Sequence, residues 1–190
     1  MDLLHYSVEQ ALHVLRAGGI ILYPTDTVWG IGCDATDAKA VSRVFQLKQR
    51  DDAKSMIILA ADERDILKYT ANPDPAVFDY LRNSATPTTV IYENALGLPD
   101  NLVNQDGSIA IRITKEVFCK TLIKRLGKPI VSTSANISGQ PSPKSFREVS
   151  KEIIRGVDYV VDYREHDETE AKPSRIIKLK ANGEILVIRE

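Results

Sequence analysis

The sequence predicts a single domain, residues 1–190, of the α/β class (α+β type): one twisted mixed sheet flanked by helices. Three observations carry this. Strand-like runs at 20–23 (IILY), 55–61 (SMIILAA) and 129–133 (PIVST) alternate with stretches of helical periodicity, the order of βα units. Elsewhere strands follow one another directly, and 176–179 and 185–188 flank Asn182-Gly183, a strong hairpin signal, so antiparallel pairs are mixed in. Finally, 190 residues with 43% apolar and 27% charged content suffice for one sizeable core, and no repeat, low-complexity tract or linker divides them.

The elements follow in order. Ser7 and Gln10 stand at capping-box spacing, and Val8, Leu12 and Leu15 recur on one helical face until Gly18-Gly19. After the strand at 20–23, PTDTVWGIGCDAT is rich in turn formers and small residues and reads as a loop. Asp37 can cap a second helix with Val41, Val44 and Phe45 on its apolar stripe, and Lys48 lies on that stripe at the C-terminal end. Helices are expected over 62–69 and 75–82, cut apart by Pro73 and Pro75. β-Branched content and alternation mark strands at 88–92 and 108–114. A helix over 115–126 closes at Gly127, and the strand at 129–133 runs into SANISGQPSP. A helix over 146–154, a short strand at 159–161 and the hairpin complete the chain.

Several chemistries are excluded. A net charge of −1 argues against a general nucleic-acid binder, while leaving room for a local basic patch. Cys33 and Cys119 form no framework and are expected to be reduced and half-buried. His5, His13 and His166 are scattered, which argues against a protein-ligated metal. The N-terminal stretch carries Asp2 and Glu9 and no continuous apolar region, so it does not read as a signal peptide, and no apolar run has membrane length. A cytoplasmic location without membrane association is the expectation. P-loop, dinucleotide and nucleophile-elbow motifs are all missing.

What remains is hydroxyls, amides and cations at strand-to-loop junctions. Lys48, Arg50 and Lys54 gather charge ahead of a buried strand. Cations in a helix's last turn favour its negative end, which accounts for Lys48 and less well for the other two. Asp51 and Asp52 partly neutralise them, so a solvated surface and an anion site stay equally open. STSANISG (132–139) opens with three hydroxyls, Ser132, Thr133 and Ser134, and adds the Asn136 amide; it suits a phosphate cradle, or a turn satisfying its own backbone. Thr25 and Thr27 follow a strand's C-terminal end, where open α/β sheets bind ligands, and Trp29 is expected to be core. Arg112, inside an alternating strand, is either a solvent-face residue or a fork for a carboxylate.

Taken in order, YPTDTVWGIGCDA, LKQRDDAKSMIIL, SIAIRIT, KPIVSTSANISGQPSP and PSRIIKL resemble the YrdC-like family of L-threonylcarbamoyladenylate synthases in its short single-domain form, over residues 8–179. The resemblance implies a YrdC-like fold with a concave basic face. It also implies a nucleotidyl transfer: L-threonine, bicarbonate and ATP give threonylcarbamoyl-AMP and pyrophosphate. The product would serve a transferase that modifies adenosine 37 of tRNAs reading ANN codons, with tRNA or double-stranded RNA as a further partner. By position, Lys48, Arg50 and Lys54 match the catalytic cations. Arg50, Lys54, Ser108, Ser134, Asn136 and Ser142 match ATP-contacting positions, and Thr27, Arg112 and Ser132 match L-threonine-contacting ones. Mg²⁺ is implied with ATP, held mainly by phosphates, without a protein metal site. Three departures stand out. Residues 84–89 read S-A-T-P-T-T where the family commonly carries W-P-G-P-[LV]-T, Leu59 replaces a histidine found in some members, and Arg175 replaces a small residue.

Positioning and charge stabilisation, rather than a protein nucleophile, are what such phosphoryl-group chemistry needs, and this residue set can supply them. A non-catalytic double-stranded RNA or tRNA module is the alternative, disfavoured by 6% aromatic content with no aromatics clustered near the cations. A carbamoyl-transferring domain of larger maturation proteins comes last.

Overall fold

A computed structural model of the chain describes residues 2–50, 56–169, 171–180, 182 and 184–190. Its helices are α1 (Leu3–Arg16), α2 (Ala38–Lys48), α3 (Glu63–Tyr69), α4 (Ala76–Asn83), α5 (Val117–Leu126) and α6 (Lys151–Gly156). Its strands are β1 (Ile21–Tyr23), β2 (Gly30–Gly32), β3 (Ile57–Ala60), β4 (Thr88–Tyr92), β5 (Ile109–Ile113), β6 (Ile130–Ser134), β7 (Tyr159–Val160), β8 (Arg175–Leu179) and β9 (Ile185–Arg189). Among the described residues they form one sheet in the order β7-β1-β2-β6-β3-β5-β4-β8-β9. The sheet is mixed as expected: β1–β7, β3–β5 and β4–β8 are parallel and the other pairs antiparallel.

Strand alternation sends side chains to two cores. Ile20, Leu22, Ile58, Ile111 and Val131 point to one face, where they pack with Val41, Val44 and Phe45 of α2, Ile66 of α3, Val77 and Phe78 of α4 and Ile153 of α6. Ile21, Tyr23, Leu59 and Ile130 point to the other face, against Val8, Leu12 and Leu15 of α1 and Phe118, Leu122 and Ile123 of α5. These two helices cover only part of their face. The cleft described below occupies ground that they leave open.

Four expectations are corrected. α1 begins at Leu3, capped by the Asp2 carboxylate, which accepts the His5 N–H at 2.9 Å; Ser7 is buried inside the helix and caps nothing. The segment expected to be a loop contains β2, because Gly30 and Gly32 let the backbone run tightly between β1 and β6. A Cβ on Gly32 would fall 2.2 Å from the Val131 carbonyl oxygen and 2.7 Å from the Tyr23 ring. The expected helix over 146–154 is a 3-10 turn, Phe146–Glu148, followed by α6, which restarts where Ser150 caps Ile153 N–H. Cys33 and Cys119 are both fully buried rather than half-buried, and both are free thiols. Trp29 is core, packed on Phe146 with ring centroids 4.9 Å apart. β8 and β9 pair antiparallel as the hairpin signal requires; Gly183 lies outside the described residues.

Candidate active site

β6, β3 and β5 are neighbours, so residues opposite one another on their ladders share a face: Ser132 faces Ile57, Ile57 faces Ala110, and Leu59 faces Arg112. Ser132, Ile57, Ala110 and Arg112 thereby floor a cavity of about 260 Å³, and Thr27, Arg50, Ser134 and Ser142 stand on its walls. Six expected site residues are thus brought together: Thr27, Arg50, Arg112, Ser132, Ser134 and Ser142.

Arg112 is buried, and its charge is met by Asp26: Nη2 stands 3.3 Å from Asp26 Oδ1. That approach lacks hydrogen-bond geometry, and neither Nε nor Nη2 of Arg112 has a hydrogen-bond partner. Buried donors are normally satisfied, and an anionic group in the cavity is the kind of partner that would meet these two guanidinium N–H groups. Asp26 is fixed in turn, since its Oδ2 accepts the Lys115 N–H at 2.9 Å. The Thr27 hydroxyl is set by the turn around it: Thr25 Oγ1 lies 3.0 Å away, accepts Thr27 N–H and donates to the Val28 carbonyl. Arg50 stands just beyond α2, where burial draws its pKa below the ordinary guanidinium value.

Lys48 sits elsewhere. It is 1% exposed, and its ammonium donates to the carbonyls of Ser134 at 2.5 Å and Asn136 at 2.7 Å. Burial first, then the positive charge of Arg50, pulls its pKa down to about 7. The expectation that Lys48 serves as a catalytic cation is therefore corrected: it braces α2 against the loop that follows β6. Asn136 departs from expectation likewise, because its amide donates to Ile137 and Gln140 carbonyls and closes that loop on itself. The Ser108 hydroxyl donates to Asp106 at 2.6 Å and accepts from Asn104; only Asn104 reaches the cavity. Lys54 lies outside the described residues.

Three contributors escaped the residue-level reading. Asp26 was passed over inside a Thr-rich turn. Ser174 and Arg189 line the cavity from the C-terminal strands: Arg189 Nη2 donates to the Ser174 carbonyl at 2.6 Å, and the Ser174 hydroxyl meets Thr89 Oγ1 at 2.7 Å. Desolvation and the nearby Arg112 charge both lower the Arg189 pKa. An arginine in an otherwise apolar strand was the available signal, as it was for Arg112. Three guanidiniums, of Arg50, Arg112 and Arg189, line this cavity.

The chain is similar to known proteins along most of its length. The family model Sua5/YciO/YrdC, described as "Telomere recombination", matches residues 13–190. A threonylcarbamoyl-AMP synthase of Pseudoalteromonas translucida is 35% identical over 82% of this chain and 85% of its own. One of Idiomarina loihiensis is 35% identical over 88% of this chain and 91% of its own. Among solved structures, P. abyssi Sua5 complexed with L-threonine superposes with a TM-score of 0.84 at 24% identity, covering 96% of this chain and 53% of that longer one. With the match running through the cavity-lining segments and nearly the whole sequence, this chain belongs to the Sua5/YciO/YrdC family.

Proposed function

We propose that the chain is an L-threonylcarbamoyladenylate synthase acting as one domain over residues 1–190. The carrying observation is Arg112, buried at the cavity floor with two N–H donors unmet: a fork waiting for a carboxylate. The names of the relatives support the same reading and favour it over a non-catalytic RNA module.

In this reading Arg112 holds the threonine carboxylate, with Thr27 and Ser132 on its hydroxyl and amine. Arg50, Ser134 and Ser142, joined by Lys54, hold ATP, taken up with Mg²⁺ on its phosphates; Ser108 accepts from Asn104, which lines the cavity, and Asn136 closes the loop that carries Ser134. The threonine amine adds to bicarbonate and loses water to give a carbamate. A carbamate oxygen then attacks the α-phosphorus, the bond to the β-phosphate breaks, and pyrophosphate leaves with its electron pair. Fixed cations stabilise the charge that develops, and no protein nucleophile is required. The mixed anhydride passes to a transferase acting on tRNA, in the cytoplasm; among the described residues no helix is long and apolar enough to cross a membrane.

The test is pyrophosphate release from ATP in bicarbonate buffer. Release should require L-threonine, fall with L-serine and fall further with 2-aminobutyrate, because a site that bonds a hydroxyl rejects analogues lacking it. Equal rates with all three, or release without any amino acid, would overturn the assignment.

A further inference from the structure

A second cleft, of about 680 Å³, lies on the other side of the Asp26–Arg112 pair, bounded by α3, the end of α4, residues 84–88 and α5. Two of its three acids, Glu63 and Asp26, face a cation, and the third, Asp62, caps a helix. Glu63 pairs with Arg82 at 2.9 Å, Asp62 accepts Arg64 N–H at 3.0 Å, and Asp26 accepts Lys115 N–H at 2.9 Å. Of its cations, Arg82 is paired with Glu63 and Lys115 Nζ donates to the Ser84 carbonyl, whereas the side chains of Arg64, Lys120 and Lys124 form no ion pair among the described residues. Lys120 and Lys124 lie one turn apart on the same face of α5, a like-charge pair that repels unless an anion lies between. The remaining lining includes apolar surface from Ala61, Leu81, Pro87 and Ile113. Ser84, a small residue at a position where the resembled motif would place tryptophan, lines the cleft.

We propose that this cleft is a second binding site, for a nucleoside phosphate: the phosphate on Arg64, Lys120 and Lys124, the ring on the apolar surface. Its volume lies in the ordinary range of small-molecule sites. Asp26 links it to the first cavity, since one carboxylate oxygen faces Arg112 and the other accepts the backbone N–H of Lys115, two residues before α5 begins. A ligand drawn to the cations beside Lys115 therefore alters the partner that holds Arg112, and with it threonine affinity. That coupling rests on Arg112 binding threonine; the existence of the second site does not.

The experiment is calorimetric titration of the full chain with AMP, wild type against K120E/K124E and, separately, S84W. Charge reversal turns two attractions into repulsions and should weaken this site by roughly tenfold or more, and tryptophan should fill it. Both variants are expected to bind one AMP equivalent fewer than wild type while still releasing pyrophosphate with threonine. AMP should shift threonine affinity in wild type by a component that both variants lose. Unchanged stoichiometry in the two variants overturns the proposal. Loss of tRNA binding with AMP binding unchanged also overturns it, and would make the cleft a contact for a nucleic-acid backbone. Because AMP stoichiometry is counted without turnover, its failure is distinguishable from failure of the synthase reading.

Discussion

At the scale of single residues, Arg112 and Lys48 show how burial separates two basic side chains of similar appearance in sequence. Arg112 keeps donors for a ligand. Lys48 spends its donors on two carbonyls. Arg112→Lys should keep the charge opposite Asp26, and so the fold, while losing the fork. Threonine affinity should drop by about 1.5–3 kcal/mol, ten- to hundredfold, with ATP affinity nearly unchanged. Calorimetry with each ligand checks this, and equal losses of both would count against separate subsites. Lys48 has a pH signature. Its folded pKa of about 7 lies below the ordinary 10.5, so between those values the unfolded chain holds the extra proton and stability rises with pH. Lys48→Met takes up no proton. Wild-type stability should gain on the variant by at most about 1.4 kcal/mol per pH unit above ~pH 7, read by urea denaturation at several pH values; a constant difference would contradict the assignment. The sequence showed that these cations cluster. It could not show which way Lys48 points, because helix periodicity puts it on the buried stripe without saying what polar atoms await it there.

At the scale of elements, the strand–loop junctions carry the site, and their geometry depends on tight backbone approach. Gly32 lets β2 pass between β1 and β6, with the Val131 carbonyl where a side chain would stand. Gly32→Ala should therefore destabilise the fold by about 2 kcal/mol or more, read as a lower urea midpoint, because the clash is with backbone and cannot be relieved by a rotamer change. An unchanged midpoint would mean that the β2–β6 junction relaxes freely. Long periodic elements such as α2, α5 and β4 were legible, since period and caps agreed there. β2 was not: a strand of three residues buried by its neighbours shows only glycines and an isoleucine in sequence. The start of α1 was misplaced because Ser7 mimics a cap, whereas Asp2 makes the bond. The break near Val149 was hidden by apolar residues that satisfy both a helix and a turn followed by a helix.

At the scale of the molecule, one sheet serves two purposes. One face is buried by four helices, and the other is covered by α1 and α5 only in part, leaving polar side chains of β5 and β6 in an open cavity. The mixed sheet was legible from the order of elements, and the gathering of Thr27, Arg50, Arg112, Ser132, Ser134 and Ser142 from the family resemblance. Asp26, Ser174 and Arg189 were not, because they enter through pairings of distant segments that residue patterns alone do not specify. The measurement that bears most directly on the account supplies carbon-labelled bicarbonate with L-threonine and ATP and analyses the products by mass spectrometry. The predicted result is threonylcarbamoyl-AMP carrying the labelled carbon, one pyrophosphate formed for each molecule of it. An unlabelled adduct, or labelled product formed without L-threonine, would contradict the account.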